Sequence, residues 1–109
     1  MNETKSRQIV RARSGGICEV CGSARACEYA HRQGRAQGGV WDPANAIDAC
    51  SSCHRQMHHR PDDANANGWM IPGHVRDVAA VRVRLTPWMG PGWYLLDSIG
   101  GYEYAGAPA

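Results

Sequence analysis

Two Cys-x-x-Cys pairs constrain this chain more than any other feature of its sequence. Cys18 and Cys21 form the first pair, and Cys50 and Cys53 form the second. This spacing lets both sulfurs of a turn reach one tetrahedral ion at about 2.3 Å, so two pairs complete a site of four sulfurs. Because a site without an open position is structural, we predict a zinc ion that stabilises the fold. A redox Cys-x-x-Cys pair, or chance, remains open from the spacing alone.

The size of the chain and its fifth cysteine support a metal over disulfides. A chain of 109 residues is one small domain, and its 13 glycines and 6 prolines indicate a fold rich in loops. The odd number of cysteines argues against a disulfide framework, as does the reducing compartment that we expect for this protein. Cys27 is the cysteine left over, and we predict a small, half-buried side chain without a role.

The apolar segments are too short for a membrane protein. No apolar run approaches the roughly 20 residues that a membrane helix needs, and the first residues lack the apolar stretch of a signal peptide. We therefore expect a soluble, cytoplasmic protein that has no membrane partner.

Positive charge is concentrated in the first third of the chain. Residues 1–35 contain seven Lys or Arg against three acids, whereas residues 61–109 contain three Arg against five acids, within a net charge of +2. The basic segment accompanies the first cysteine pair and a histidine, so its surface is suited to attract a polyanion. A solvated charged face explains the same charges equally well.

The pattern of apolar, glycine and proline residues predicts short elements. It predicts, in chain order, a basic helix at 4–13, a strand at 26–32, an exposed glycine loop at 34–39, a helix from the second cysteine pair through His58 with Ser51 or Ser52 as its N-cap, a short helix or turn at 62–67, a strand at 69–71, and two or three antiparallel strands between residues 78 and 104.

Three histidines occupy informative positions. His54 and His58 are four residues apart on the predicted helix, so both project from one face and are spaced to share a metal ion. Solvated helix faces also collect histidines. His31 ends the predicted strand before the glycine loop, where a lone histidine is usually a surface or hydrogen-bonded residue. We expect His59 and His74 to be solvent-facing.

Taken in order, these residues resemble the motif of a known family. Cys18-x-x-Cys21, His31 followed by Gly38-Gly39, Asn45, and Cys50-x-x-Cys53-His54 with His58 resemble the HNH endonuclease pattern with its zinc-bearing cysteines, over about residues 12–60. The resemblance implies an α+β fold. Its ββα-metal core, with the structural zinc, would occupy residues 1–60, and a C-terminal antiparallel β appendage would occupy residues 61–109.

The resemblance also implies a reaction and the residues that perform it. The protein would be a metal-dependent DNA endonuclease in which His31 is the general base that activates water. His54 and His58 would hold a divalent ion such as Mg²⁺, Mn²⁺, Ni²⁺ or Zn²⁺. Asn45 would fix the loop so that the base is aimed, or touch the metal as in some branches of the family. A cation stabilises the charge that builds up on the phosphate, and a neutral imidazole, aimed by a hydrogen bond from its other nitrogen to a carbonyl, is able to deprotonate water.

One position departs from the family pattern. Many members have a metal-binding His or Asp immediately before the base, and this chain has Ala30 there. Water or a substrate phosphate would then take the vacant position, or Glu28, two residues back on the same strand face, would replace the ligand. Weak metal binding or lost activity is the other outcome. Arg32 and Arg35 flank the base and are expected to contact phosphates, although solubility alone would also explain them.

Two other functions remain open from the sequence. The first is a zinc-stabilised DNA-binding module that has lost catalysis, which the alanine at position 30 favours. The second is a zinc adaptor that binds another protein through its tail. Gly68-Trp69 and the segment 92–97 resemble extensions of phage-type HNH proteins, which implies a phage protein in the host cytoplasm with DNA-processing or packaging partners.

Overall fold

Three α-helices and five short β-strands make up the regular structure of residues 1–108, the part of the chain that this computed structural model describes. They are α1 Glu3–Ser14, β1 Glu28–His31, β2 Ala46–Ala49, α2 Ser51–His59, α3 Pro61–Ala66, β3 Val83–Leu85, β4 Gly92–Leu96 and β5 Tyr102–Tyr104, with three-residue 3-10 helices at Arg35–Gln37, Pro43–Asn45 and Val78–Ala80. The predicted α+β class is confirmed. Within this part of the chain, no helix is both long enough and apolar enough to span a bilayer.

The first helix begins and ends where the sequence indicates. The side chain of Asn2 caps α1 by accepting a hydrogen bond from the backbone N–H of Lys5 at 2.8 Å. At the other end Gly15 adopts a left-handed φ of 66° and donates its N–H to the carbonyl of Arg11. A residue with a side chain would be strained at that φ, which explains the glycine stop.

Strands β1 and β2 form an antiparallel pair between two helices. Glu28 lies opposite Ala49, and His31 lies opposite Ala46. Alternate side chains of β1 project to opposite faces. Glu28 and Ala30 face α2, whereas Tyr29 and His31 face α1. The strand is shorter than the predicted 26–32.

The N-terminus of α2 differs from the prediction. Cys50, and not Ser51 or Ser52, is the N-cap, and its Sγ accepts the N–H of Cys53 at 3.4 Å. The expectation of a serine cap was wrong because the helix starts from the cysteine turn itself. The helix ends at His59, and Pro61 opens α3, where its missing N–H has no cost.

The tail folds as the predicted antiparallel sheet, in the order β3-β4-β5. Two predictions in this region were wrong. Residues 69–71 do not form a strand, and residues 78–80 form a 3-10 helix that precedes β3. Short apolar runs do not distinguish a strand from a buried irregular segment.

A single buried cluster joins the two halves of the chain. Its members include Cys18, Ala30, Ile47 and Met57 from the first half, and Val83, Leu85, Tyr94 and Leu96 from the tail. The predicted boundary at residue 60 therefore does not separate two cores. Gly68 marks one close approach between the halves, because a Cβ at its φ of 73° would lie 2.0 Å from the carbonyl oxygen of Arg82.

Candidate metal centres and nucleic-acid site

The four paired cysteines converge as the sequence predicts. The Sγ atoms of Cys18, Cys21, Cys50 and Cys53 all lie within 4.8 Å of one another. This donor set is compatible with one tetrahedral zinc ion. Cys27 lies outside the cluster and is exposed, not half-buried as expected.

The local environment of the cluster fits a bound cation. Backbone N–H groups of Ala24 and Ser23 lower the pKa of the Cys21 thiol to about 6, so a thiolate is present at neutral pH. Burial raises the pKa of Cys18 and Cys53, because their charged forms lack solvent. A zinc ion would supply the positive charge that these two thiolates need.

The first cysteine turn requires a glycine. Gly22 has a φ of 71°, and its N–H donates to the carbonyl of Cys18 at 2.9 Å. A Cβ at this position would lie 2.6 Å from Cγ2 of Thr86, in the segment after β3. The tail therefore packs directly on the turn that supplies half of the sulfurs.

The two helix histidines form a second, separate pair. The Nε2 atoms of His54 and His58 lie 3.3 Å apart, at the exposed end of their rings. Two nitrogens that each lie about 2.1 Å from one ion are roughly 3.0–3.4 Å apart at octahedral or tetrahedral angles. The spacing of this pair therefore fits two ligands of one divalent ion.

Glu28 holds the ring of His54 from the other side. Its Oε1 lies 2.6 Å from Nδ1 of His54. A hydrogen bond from Nδ1–H to a carboxylate leaves the lone pair of Nε2 free for a metal, which is the usual arrangement around metal-binding histidines. Glu28 thus lies where it orients a ligand, and not where a replacement ligand would lie.

The histidine pair has no third protein ligand close to it. Within residues 1–108, the four cysteines are the only cluster of at least three metal-ligating side chains. Ala30, on the same strand face as Glu28, is buried and offers only a methyl group. An ion bound to His54 and His58 would have its remaining positions open to water or to a phosphate oxygen.

His31 lies on the opposite face of the strand pair. Its ring packs edge-on against Trp41, with centroids 4.4 Å apart, and against Tyr29 at 5.1 Å. Its Nε2 is buried and has no hydrogen-bond partner in the described structure. The structure therefore does not bring His31 into contact with the pair His54 and His58. The expected hydrogen bond between a carbonyl and the His31 ring is absent from residues 1–108, where aromatic packing holds the ring.

The electrostatic surroundings keep His31 neutral. Burial lowers the pKa of His31 below its usual 6.5, and the positive charges of Arg35 and Arg7 lower it further. A neutral imidazole near pH 7 is the form that accepts a proton.

Asn45 fixes the loop that follows His31. Its Oδ1 accepts the N–H of Gln33 at 2.8 Å, and its Nδ2 donates to the carbonyls of Gln33 at 3.0 Å and of Val40 at 3.1 Å. The side chain is fully buried. These bonds join the two ends of the glycine loop, and they occupy the amide that would otherwise be available to a metal.

Arg32 and Arg35 have opposite environments. Arg32 is 1% exposed, and its guanidinium donates to the carbonyls of Gly68, Ala44 and Val81 at 2.8–2.9 Å. The prediction that Arg32 contacts a phosphate was wrong, because its side chain is directed into the core and the tail closes over it. Arg35 is exposed, with its guanidinium carbon 5.3 Å from the ring centre of Trp41. The expectation that His59 and His74 are exposed was correct.

Residues 18–60 match the family model of the HNH endonuclease. This segment is an HNH domain. It contains both cysteine pairs, the strand pair and α2, so the predicted resemblance is confirmed. No curated protein and no solved structure matches the chain.

A buried ion pair attaches the HNH domain to the rest of the chain. Arg13 of α1 donates to Glu19 at 2.8 Å through two nitrogens, and the hydroxyl of Tyr102 donates to the same carboxylate. Glu19 lies between Cys18 and Cys21. No signal in the sequence pointed to this network, because Arg13 belongs to a helix of solvated basic residues.

Proposed function

We propose that the chain is a metal-dependent HNH endonuclease that hydrolyses phosphodiester bonds of DNA. The observation that supports this most is the convergence of Nε2 of His54 and His58, with Glu28 behind one ring, inside a segment that matches the HNH family. A divalent ion such as Mg²⁺, Mn²⁺, Ni²⁺ or Zn²⁺ bound there would stabilise negative charge on the phosphate and the leaving oxygen. The two imidazoles position it, and the four cysteines serve the fold.

In this proposal His31 accepts the proton of the attacking water. Its depressed pKa keeps it neutral at pH 7, and Arg7 and Arg35 provide positive charge close to it. Asn45 acts as a positioning residue, because it fixes the loop behind the base. The scissile phosphate would have to lie where the His31 end of the strand pair and the exposed rings of α2 are both within reach.

A second function is supported by a different observation. The ring of His31 lies across the strand pair from the histidine pair, and Ala30 leaves the metal with two protein ligands. Both features favour a zinc-stabilised DNA-binding module without catalysis. A setting in phage DNA processing or packaging stays a prediction from the resemblance of the tail.

Plasmid cleavage separates the two functions. Zinc-loaded protein is incubated with supercoiled plasmid and each divalent metal in turn, alongside His31→Ala, His58→Ala and the exposed control His74→Ala. The nuclease predicts nicked or linear product that both site variants lose and the control retains. Retained cleavage in His31→Ala would overturn the role of His31 as base. No cleavage with any metal, together with retained DNA binding, would replace the nuclease by the binding module.

A further inference from the structure

Trp41 carries two arginine side chains on its ring, beside His31. The guanidinium carbons of Arg7 and Arg35 lie 5.4 and 5.3 Å from the centre of the indole. Arg7 comes from α1 and also lies 5.2 Å from the ring centre of Tyr29. The two arginines, 28 residues apart in sequence, are thus brought together on one aromatic surface.

The positive charge of this surface is not neutralised by the protein. Within residues 1–108, Arg35 makes no ion pair, and the partner of Arg7 is Glu3, in an exposed contact of 2.8 Å. Exposed ion pairs of this kind contribute little and exchange readily with other anions. The carboxylate of Asp42, next to Trp41, is engaged by the N–H of Ala44 and the hydroxyl of Ser98.

Stacking on an indole prepares a guanidinium for anion binding. The ring attracts the cation through its quadrupole and restricts the flexible side chain, while the N–H groups at the edge of the guanidinium stay free. The entropic cost of ordering the side chain is then smaller when an anion binds. A planar fork of N–H donors matches the paired oxygens of a phosphate.

We propose that Arg7 and Arg35, held on the Trp41 ring, bind the phosphodiester backbone of the DNA strand next to His31. The proposal rests on the proposed action on DNA, and it assigns the strand to the face of the hairpin that α1 covers. Arg7 and Trp41 become binding residues, and Arg7 takes the phosphate-binding role that the sequence predicted for Arg32.

The salt dependence of DNA binding tests the two arginines. A fluorescein-labelled duplex is titrated with zinc-loaded protein in a KCl series without added divalent metal, and anisotropy gives the affinity. Removing one arginine–phosphate interaction lowers the slope of log K against log salt by about 0.9. We expect this reduction for Arg7→Ala and for Arg35→Ala, and none for Arg82→Ala, an exposed arginine beside β3. Glu3→Gln alone, which should leave the slope unchanged, shows that an unpaired Glu3 is not the cause.

The role of the indole is tested by variants that keep all charges. Trp41→Leu should weaken binding at least about threefold with an unchanged slope, and Trp41→Phe should recover part of the loss. Trp88→Leu is the control, since Trp88 is 83% exposed at the turn between β3 and β4. Thermal unfolding of each variant verifies that the fold persists, and the Phe variant tests the role if the Leu variant does not fold.

The outcomes separate this proposal from the nuclease. Unchanged slopes in both arginine variants, equal effects in the Arg82 control, or no binding by the wild type at low salt would overturn the phosphate site. Reduced slopes without any plasmid cleavage would support the site while the nuclease fails. Cleavage with unchanged slopes would support the nuclease while the site fails.

Discussion

The carboxylate of Glu28 lies 2.6 Å from Nδ1 of His54, and the opposite nitrogen of the same ring lies 3.3 Å from Nε2 of His58. A strand residue thereby sets the orientation of a helix residue 26 positions later. The sequence places these residues on separate elements, and only the packing of α2 on β1 shows that one serves the other.

Glu28→Gln should weaken binding of the divalent ion to the histidine pair by about 10–100-fold, because the orienting carboxylate is removed. Isothermal titration of zinc-loaded protein with Mn²⁺ measures the affinity. Glu103→Gln, an exposed glutamate on β5, is the matched control and should bind Mn²⁺ like the wild type. Equal affinities for Glu28→Gln and the wild type would show that Glu28 does not support the metal.

The pH dependence of His31 should follow its surroundings. Because burial and the charges of Arg35 and Arg7 lower its pKa, the acidic limb of the cleavage rate should lie below pH 6.5. Arg35→Ala should move that limb upward, since one positive charge is removed. NMR titration of the His31 ring gives the same pKa without catalysis. A pKa at or above 6.5 in the wild type would contradict the prediction.

The same shift affects stability, and its sign follows from proton binding. The unfolded chain binds a proton at His31 more readily than the folded chain, so the free energy of unfolding rises with pH through this range. The contribution of His31 is complete above about pH 6.5 and is lost as the pH falls below it. Urea unfolding at a series of pH values should show a weaker pH dependence for His31→Gln.

Loss of one zinc ligand should abolish the metal and destabilise the fold. Cys53→Ser should contain no zinc by elemental analysis and should unfold at a much lower temperature, because the four sulfurs connect the first turn with α2. Cys27→Ser should retain one zinc per chain and the thermal midpoint of the wild type. Equal zinc contents in both variants would show that the cluster does not hold the ion.

Arg32 and Arg35 should respond oppositely to the same substitution. Arg32→Ala should lower the free energy of unfolding by at least about 3 kcal/mol, because several buried carbonyls lose their donor. Arg35→Ala should change it by less than about 0.5 kcal/mol, as for an exposed residue. Urea denaturation measures both. A small effect of Arg32→Ala would contradict the buried role.

Much of the candidate site follows from local spacing. The interval of two residues within each cysteine pair and of four residues between His54 and His58 is set by turn and helix geometry, which does not depend on the rest of the chain. The sequence alone therefore predicted four converging sulfurs, a pair of imidazoles on one helix face, the ends of α1, and an antiparallel tail.

The tertiary structure decided which side chains face solvent and which meet each other. Packing placed Arg32 in the core, His31 across the strand pair from His54 and His58, and Arg7 beside Arg35 on Trp41. It also gave the tail a share of the core, which makes residues 61–108 part of the fold of the HNH domain and not a separate appendage. Burial and long-range contacts depend on how all elements fill space together, and no short stretch of sequence encodes that by itself.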